Sequence, residues 1–296
     1  MLGGCVLMIL ASFIPLAVGI AEEKDGKGSR EVVKIWGGKA PVGDGKFEEK
    51  DVTITVHRPS KPNGGAIVIC PGGGYGGLVT SGEGHGIAEW LNKSGITGVV
   101  LEYRLPRGRS FVPLMDAQRA IRTVRSRAKE WNLDPNQIGI IGFSAGGHLA
   151  STATTHFDAG NPKSDDPVER VSCRPDFAIL IYPVITMDSK THMGSRANLL
   201  GANPEPKMIT LFSNEKQVND QTPPVFLAHP KDDTVVVPAN SEAFAEAMKK
   251  NNRKVKYLEL PSGGHGLNGY QGPMWEAWQK QSLEWLKEQG FFNGRK

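Results

Sequence analysis

The chain is short of cysteine, of clustered charge of one sign and of metal-ligand spacing, and each shortage removes a class of protein. Three cysteines in 296 residues, Cys5, Cys70 and Cys173, do not make a disulfide framework. No Cys and His residues stand at metal-ligand spacing, so no metal is expected, and no organic cofactor either. The net charge is only +4, and Lys and Arg are spread among Asp and Glu along the chain, so no nucleic-acid partner is expected. Internal repeats are absent. What remains is the composition of an ordinary globular protein, of a length that α/β architectures build around one core.

Charge is also missing altogether from Met1 to Ala21, a run of Leu, Ile, Val, Met and small residues that turns polar at Glu22-Glu23-Lys24-Asp25. With Gly19-Ile20-Ala21 as a small-x-small cleavage site, residues 1–21 read as a secretory signal peptide, which places the mature chain outside the cytoplasm or in the periplasm. The alternative is an uncleaved anchor, the one circumstance in which a membrane would be a partner. Residues 22–50 read as a polar leader, flexible before Trp36. After cleavage Cys70 and Cys173 remain; they could pair, although Cys70 ends an apolar strand and reads as a small buried side chain.

From residue 51 onward strands and helices alternate. Asp51 to Arg58 has Val52, Ile54 and Val56 on one face and Thr53, Thr55 and His57 on the other, the pattern of a half-exposed strand. Buried strands follow at Ala66 to Cys70, Thr97 to Tyr103, Ile138 to Phe143, Phe177 to Tyr182, Val225 to Ala228 and Val255 to Leu260. Between and after them lie helices at Gly84 to Ser94, Pro113 to Trp131, Ala239 to Asn251 and Pro273 to Gln289. Residues 184–222 show little periodicity and read as a small insertion over the strand ends. The class is α/β, a mostly parallel sheet with helices on both faces.

Chemistry enters at Gly142-Phe143-Ser144-Ala145-Gly146, a G-x-S-x-G string with a strand before it and a helix-compatible sequence after it. That context is what a nucleophile elbow requires: the serine stands on a strained turn above the sheet, with the helix amino end aimed at the same spot. A serine hydroxyl is a weak nucleophile, and it needs a base that is itself oriented by a carboxylate. In the chain order expected of this motif the acid comes next and the histidine last. His229-Pro230-Lys231-Asp232-Asp233 and Gly263-Gly264-His265-Gly266 each follow a strand, which brings them to the carboxyl edge of the sheet beside Ser144. Of the seven histidines, His265 alone follows both the serine and these aspartates. His265 is the expected base and Asp233 its partner, with Asp232 one residue away as the alternative. His148 is expected to pack or bond locally, and His85, His156 and His192 could line the pocket.

A second Gly-rich stretch, Pro71-Gly72-Gly73-Gly74-Tyr75-Gly76-Gly77, follows the strand at Ala66 to Cys70. It lacks the Lys-Ser/Thr ending of a phosphate loop and the spacing of a dinucleotide fingerprint. A loop of exposed N–H groups facing the serine, an oxyanion loop, fits it better than a flexible linker does.

With these residues in hand, the chain resembles the acetylxylan-esterase and feruloyl-esterase-like branch of the α/β-hydrolase superfamily. The resemblance rests on Pro71 to Tyr75, Tyr103-Arg104-Leu105-Pro106, Pro113 to Ala117, Gly142 to Ala150, Arg174 to Phe177, Asp232-Asp233 and Gly264-His265-Gly266, and runs from about residue 50 to 290. It implies a single α/β-hydrolase catalytic domain over residues 51–292, with Ser144, Asp233 and His265 as catalytic triad. It also implies Gly73, Gly74 and Ala145 as oxyanion donors, with the choice among neighbouring glycines open by one position. The implied substrate is a short acyl ester, acetyl above all, on a carbohydrate such as acetylated xylan. An amidase or peptidase on the same fold, or a non-catalytic carbohydrate-binding homologue, are the alternatives. One departure stands out: Pro71 occupies the place where related His-Gly-Gly-Gly carboxylesterases carry a histidine, so that side chain cannot organise this loop.

Overall fold

The computed structural model describes residues 23–25 and 28–292. The apolar segment read as a signal peptide lies outside the described residues. Among the described residues no helix is long and apolar enough to cross a membrane.

Eleven strands occur in the described chain: β1 Glu23–Asp25, β2 Gly28–Lys34, β3 Lys39–Gly43, β4 Lys46–Glu49, β5 Thr53–Pro59, β6 Ala66–Cys70, β7 Thr97–Glu102, β8 Ile138–Phe143, β9 Ala178–Ile181, β10 Val225–Pro230 and β11 Val255–Leu260. The principal helices are α1 Gly86–Lys93, α2 Val112–Ser126, α3 Ser144–Thr155, α4 Met193–Leu200, α5 Pro206–Leu211 and α6 Ala239–Lys250, followed by the single turn α7 Leu267–Tyr270 and the terminal α8 Pro273–Glu288.

Nine strands form one sheet in the order β1-β2-β5-β7-β6-β8-β9-β10-β11, and β3 with β4 makes a separate hairpin. From β7 to β11 across the sheet every pairing is parallel, whereas β1, β2 and β5 join the edge antiparallel. The all-apolar runs Ala66–Cys70 and Ile138–Phe143 fit the middle of such a sheet because both faces are covered, and every residue in them is buried. On one face lie Leu114, Ile121, Leu149 and Phe244 from α2, α3 and α6. On the other lie Ile87, Leu91, Trp278 and Trp285 from α1 and α8. Parallel strands joined by helices carry all their forward loops to one edge, where β6, β8, β10 and β11 release the Gly-rich loop, the elbow, the two aspartates and the histidine loop.

Two expectations are corrected. Gly28–Lys34 is not part of a leader but a strand, paired antiparallel with β5 from Gly28 opposite Pro59 to Lys34 opposite Thr53. Its polar side chains hid it, since the pairing uses the backbone. Nor is β5 half-exposed: α1 and the turn before it pack on the face that carries Thr55 and His57, where Asn92 donates to the His57 carbonyl and His85 meets the His57 ring, and both residues are buried. The insertion at residues 184–222 folds into α4, α5 and short turns. Cys70 and Cys173 are both buried and free.

Candidate active site

Ser144 stands at the junction of β8 and α3 with φ of 52°, a conformation costly for any residue but glycine and tolerated where surrounding structure enforces it. The enforcement is close packing. A Cβ on Gly142 would fall 2.1 Å from the Gly146 carbonyl oxygen, and one on Gly146 would fall 2.1 Å from the Cys70 oxygen and 2.4 Å from that of Pro71. Only glycine at both positions lets the helix start so near the strand it leaves and the loop beside it. The two outer glycines of the motif are thus steric requirements of the turn.

His265 Nε2 lies 2.9 Å from Ser144 Oγ, and its Nδ1 lies 2.7 Å from Asp233 Oδ2. Asp233 is 3% exposed. Burial alone would raise its pKa, but bonds from His229, His265 and the Val236 N–H outweigh that and hold the carboxyl well below the usual carboxylate range. An ionised carboxylate only accepts, so Nδ1 of His265 carries the proton and Nε2 is left to accept from the serine hydroxyl. That is the tautomer a general base needs.

The neighbouring aspartate has a different task. Asp232 accepts the Gly263 N–H at 3.1 Å and the Gly264 N–H at 2.8 Å, gripping the loop that presents His265. Asp233 Oδ1 is occupied by the Val235 and Val236 N–H groups, each at 2.9 Å. Behind them His229, wholly buried, donates from Nε2 to the Val236 carbonyl at 2.8 Å and accepts the Ser241 hydroxyl at Nδ1, also at 2.8 Å. Its Nε2 is also 3.4 Å from Asp233 Oδ2. The sequence offered only one hint of this support, a histidine four residues before the aspartate.

The Gly-rich loop lies against the elbow: a Cβ on Gly72 would sit 3.0 Å from Ser144 Cβ. Gly73 has φ of 126° and its carbonyl receives the Gly76 and Gly77 N–H groups, which curls the loop back. Among the described residues no protein acceptor takes the N–H of Gly73, Gly74 or Ala145. Ala145 is the second residue of α3, so its N–H belongs to the unsatisfied first turn. Helix α4 of the insertion holds the far side of the loop, where Asn198 Nδ2 donates to the Gly74 carbonyl at 2.9 Å. His192, which caps α4, accepts the Ser195 N–H at Nδ1 and places its ring edge 3.9 Å from where a Gly74 Cβ would be.

The remaining histidines are occupied elsewhere. His148 is fully buried in α3; it donates from Nε2 to the Phe212 carbonyl and accepts the Tyr75 hydroxyl, each at 2.8 Å. Burial lowers its pKa to about 4, against the pull of the Phe212 carbonyl. His57 and His85 bond to one another at 3.0 Å, and His156 stacks on Phe212.

Comparison with known proteins gives these features relatives. The BD-FAE family model matches residues 54–248. An acetylxylan esterase of Xylanibacter ruminicola is 40% identical over 238 residues, covering 77% of this chain and 46% of the relative. Endo-1,4-beta-xylanase B of Butyrivibrio fibrisolvens is 38% identical over 219 residues, covering 72% of this chain and 34% of the relative. The chain therefore spans less than half the length of these two curated relatives. Among solved structures, an acetyl ester-xyloside bifunctional hydrolase from Caldicellulosiruptor lactoaceticus superposes with a TM-score of 0.79 at 41% identity, covering 86% of this chain and 97% of that one.

Proposed function

The chain belongs to the BD-FAE family and has the α/β-hydrolase fold, and from that premise we propose that it is a serine ester hydrolase removing acetyl or similarly short acyl groups from acetylated xylan. The observation that carries the proposal is the unbroken line from Asp233 through His265 to Ser144, with bonds of 2.7 and 2.9 Å, beside N–H groups that no acceptor among the described residues takes. His265 accepts the Ser144 proton as Oγ attacks the ester carbonyl, and Asp233 stabilises the imidazolium that results. The N–H groups of Ala145 and of Gly73 or Gly74 receive the oxyanion, and each such donor is worth about 3 to 4 kcal/mol in the transition state. Collapse expels the carbohydrate alcohol, which takes its proton from His265; water then attacks the acyl-enzyme by the same route and frees the acid.

The substrate assignment draws support from the xylan-directed names of the relatives. The reading of residues 1–21 as an export signal is consistent with a polysaccharide substrate.

Wild type and Ser144→Ala are to be compared on 4-nitrophenyl acetate and on acetate release from acetylated xylan. Wild type is expected to turn over both, and the variant to lose on the order of 10^6-fold in kcat. Equal rates in the two proteins would remove the serine from the mechanism. Binding to xylan without turnover by wild type would replace the esterase with a carbohydrate-binding homologue.

A further inference from the structure

The Gly-rich loop begins at Pro71, which has neither an N–H nor a polar side chain, so the loop must be held against Ser144 from outside. At its first two residues, two side chains do this. The Tyr103 hydroxyl donates to the Pro71 carbonyl at 2.7 Å, and the Gly72 N–H donates to Glu83 Oε2 at 2.7 Å. Glu83 is 3% exposed and no step of acyl transfer uses it. Its other oxygen, Oε1, accepts the Tyr182 hydroxyl at 2.9 Å. The Tyr182 ring in turn backs His265, with ring centroids 4.9 Å apart.

A carboxyl taken this far from water is costly unless every oxygen is bonded, and burial raises the pKa of Glu83 while Tyr182 and the Gly72 N–H pull it back. The fit around it has no slack. A Cβ on Gly72 would lie 2.6 Å from Oε2 on one side and 3.0 Å from Ser144 Cβ on the other. One buried side chain thus touches the loop that carries the oxyanion donors and the ring behind the base.

We propose that Glu83 is a positioning residue for acyl transfer: its carboxyl fixes the Gly72–Gly74 turn at the distance from Ser144 where the loop N–H groups meet the oxyanion, and it holds Tyr182 against His265. This rests on the esterase reading above. It also answers the departure at Pro71, because Glu83 and Tyr103 fasten from outside a loop that has no histidine of its own.

The test uses Glu83→Ala and Glu83→Gln in the full chain, since glutamine keeps a carbonyl for the Gly72 N–H. On 4-nitrophenyl acetate the alanine variant is expected to lose about 100-fold in kcat with KM within about twofold, and the glutamine variant to recover to within about tenfold of wild type. Amide exchange at Gly72 is expected to quicken by about tenfold or more in Glu83→Ala, while the Val184 amide, which donates to the Ser144 carbonyl, stays as protected as in wild type. Wild-type kcat in Glu83→Ala would overturn the proposal. So would equal losses in both variants accompanied by faster exchange at Val184, the signature of a general loss of structure. Should wild type hydrolyse no ester, the functional reading falls alone; the Gly72 exchange result still decides whether Glu83 holds the loop.

Discussion

Asp232 and Asp233 are adjacent and chemically identical, and they differ in what they bond. Asp233 is buried, receives His265 Nδ1 and is held ionised by His229 and the Val236 N–H; Asp232 is exposed and binds the Gly263 and Gly264 N–H groups. Asp233→Asn would present an amide where His265 needs an acceptor, favouring the wrong tautomer. The expected loss is about 10^4-fold in kcat, read from steady-state ester hydrolysis. Asp232→Asn keeps one carbonyl for the loop amides, and its loss is expected to stay within about tenfold. The reverse ranking would hand the triad to Asp232. The sequence favoured Asp233 but kept Asp232 as the alternative, because Val235-Val236-Val237 leaves the register open by one residue. It did single out Ser144 and His265, whose neighbours in the chain, the elbow glycines and the loop glycines, serve the same turn that presents them. Glu83 and His229 were invisible as functional residues. Their partners come from β6, β9, α6 and the loops beyond, and a carboxylate near the start of a helix reads as surface until Gly72 and Tyr182 are seen to close over it.

At the scale of elements, α3 does more than direct its amino end at the site. All twelve of its residues are buried, and His148 ties it to Tyr75 of the Gly-rich loop and to Phe212 of the insertion. Asn214 adds bonds to the His148 carbonyl and to the hydroxyls of Ser151 and Thr152. The site and its covering insertion therefore share a buried polar joint that works with His148 neutral. Its pKa of about 4 lies below that of a free histidine, so between pH 6.5 and 4 the unfolded chain binds a proton that the folded one refuses. Stability is then fully present above pH 6.5 and falls as pH drops through this window, by about 3 kcal/mol from this residue alone. His57, also lowered to about 4 by burial, steepens the same slope. Urea unfolding at pH 4.5, 5.5 and 7 is expected to show this slope in wild type and a shallower one in His148→Gln, which cannot titrate. Parallel slopes would mean that the joint admits a protonated ring. None of this was legible from the polar, aperiodic sequence of residues 184–222, whose order comes from contact with α3 and the Gly-rich loop and not from a pattern of its own.

Taken whole, the molecule makes the alternation of strands and helices from residue 51 onward legible because each buried strand is an apolar run bounded by turns. The amino-terminal edge does not announce itself in that way. Gly28–Lys34 carries Ser, Arg, Glu and Lys, yet beyond it Ile35 is 3% exposed and its carbonyl accepts Arg119 Nε at 2.8 Å. Trp36 donates from Nε1 to Asp116 at 2.8 Å, and Asp116, with no exposure, also receives the Arg104 guanidinium at 2.7 Å. This is the Arg of Tyr103-Arg104-Leu105-Pro106 meeting the Asp of Pro113 to Ala117, two of the stretches that carried the family resemblance. We therefore place the start of the folded domain at or before Gly28, earlier than the boundary at residue 51. Removing residues 1–22 is expected to leave the melting temperature within a few degrees. Removing residues 1–36 strips β2 from β5, exposes the core under Ile35 and takes a donor from the buried Asp116. The combined cost is about 5 kcal/mol or more, from one large apolar side chain, a ladder of backbone bonds and a weakened buried ion pair. At roughly 2 °C per kcal/mol for a chain of this size, the longer truncation should melt about 10 °C lower or fail to fold. Thermal unfolding of the two truncations beside the full chain decides it: equal melting temperatures would return residues 28–36 to the status of a leader.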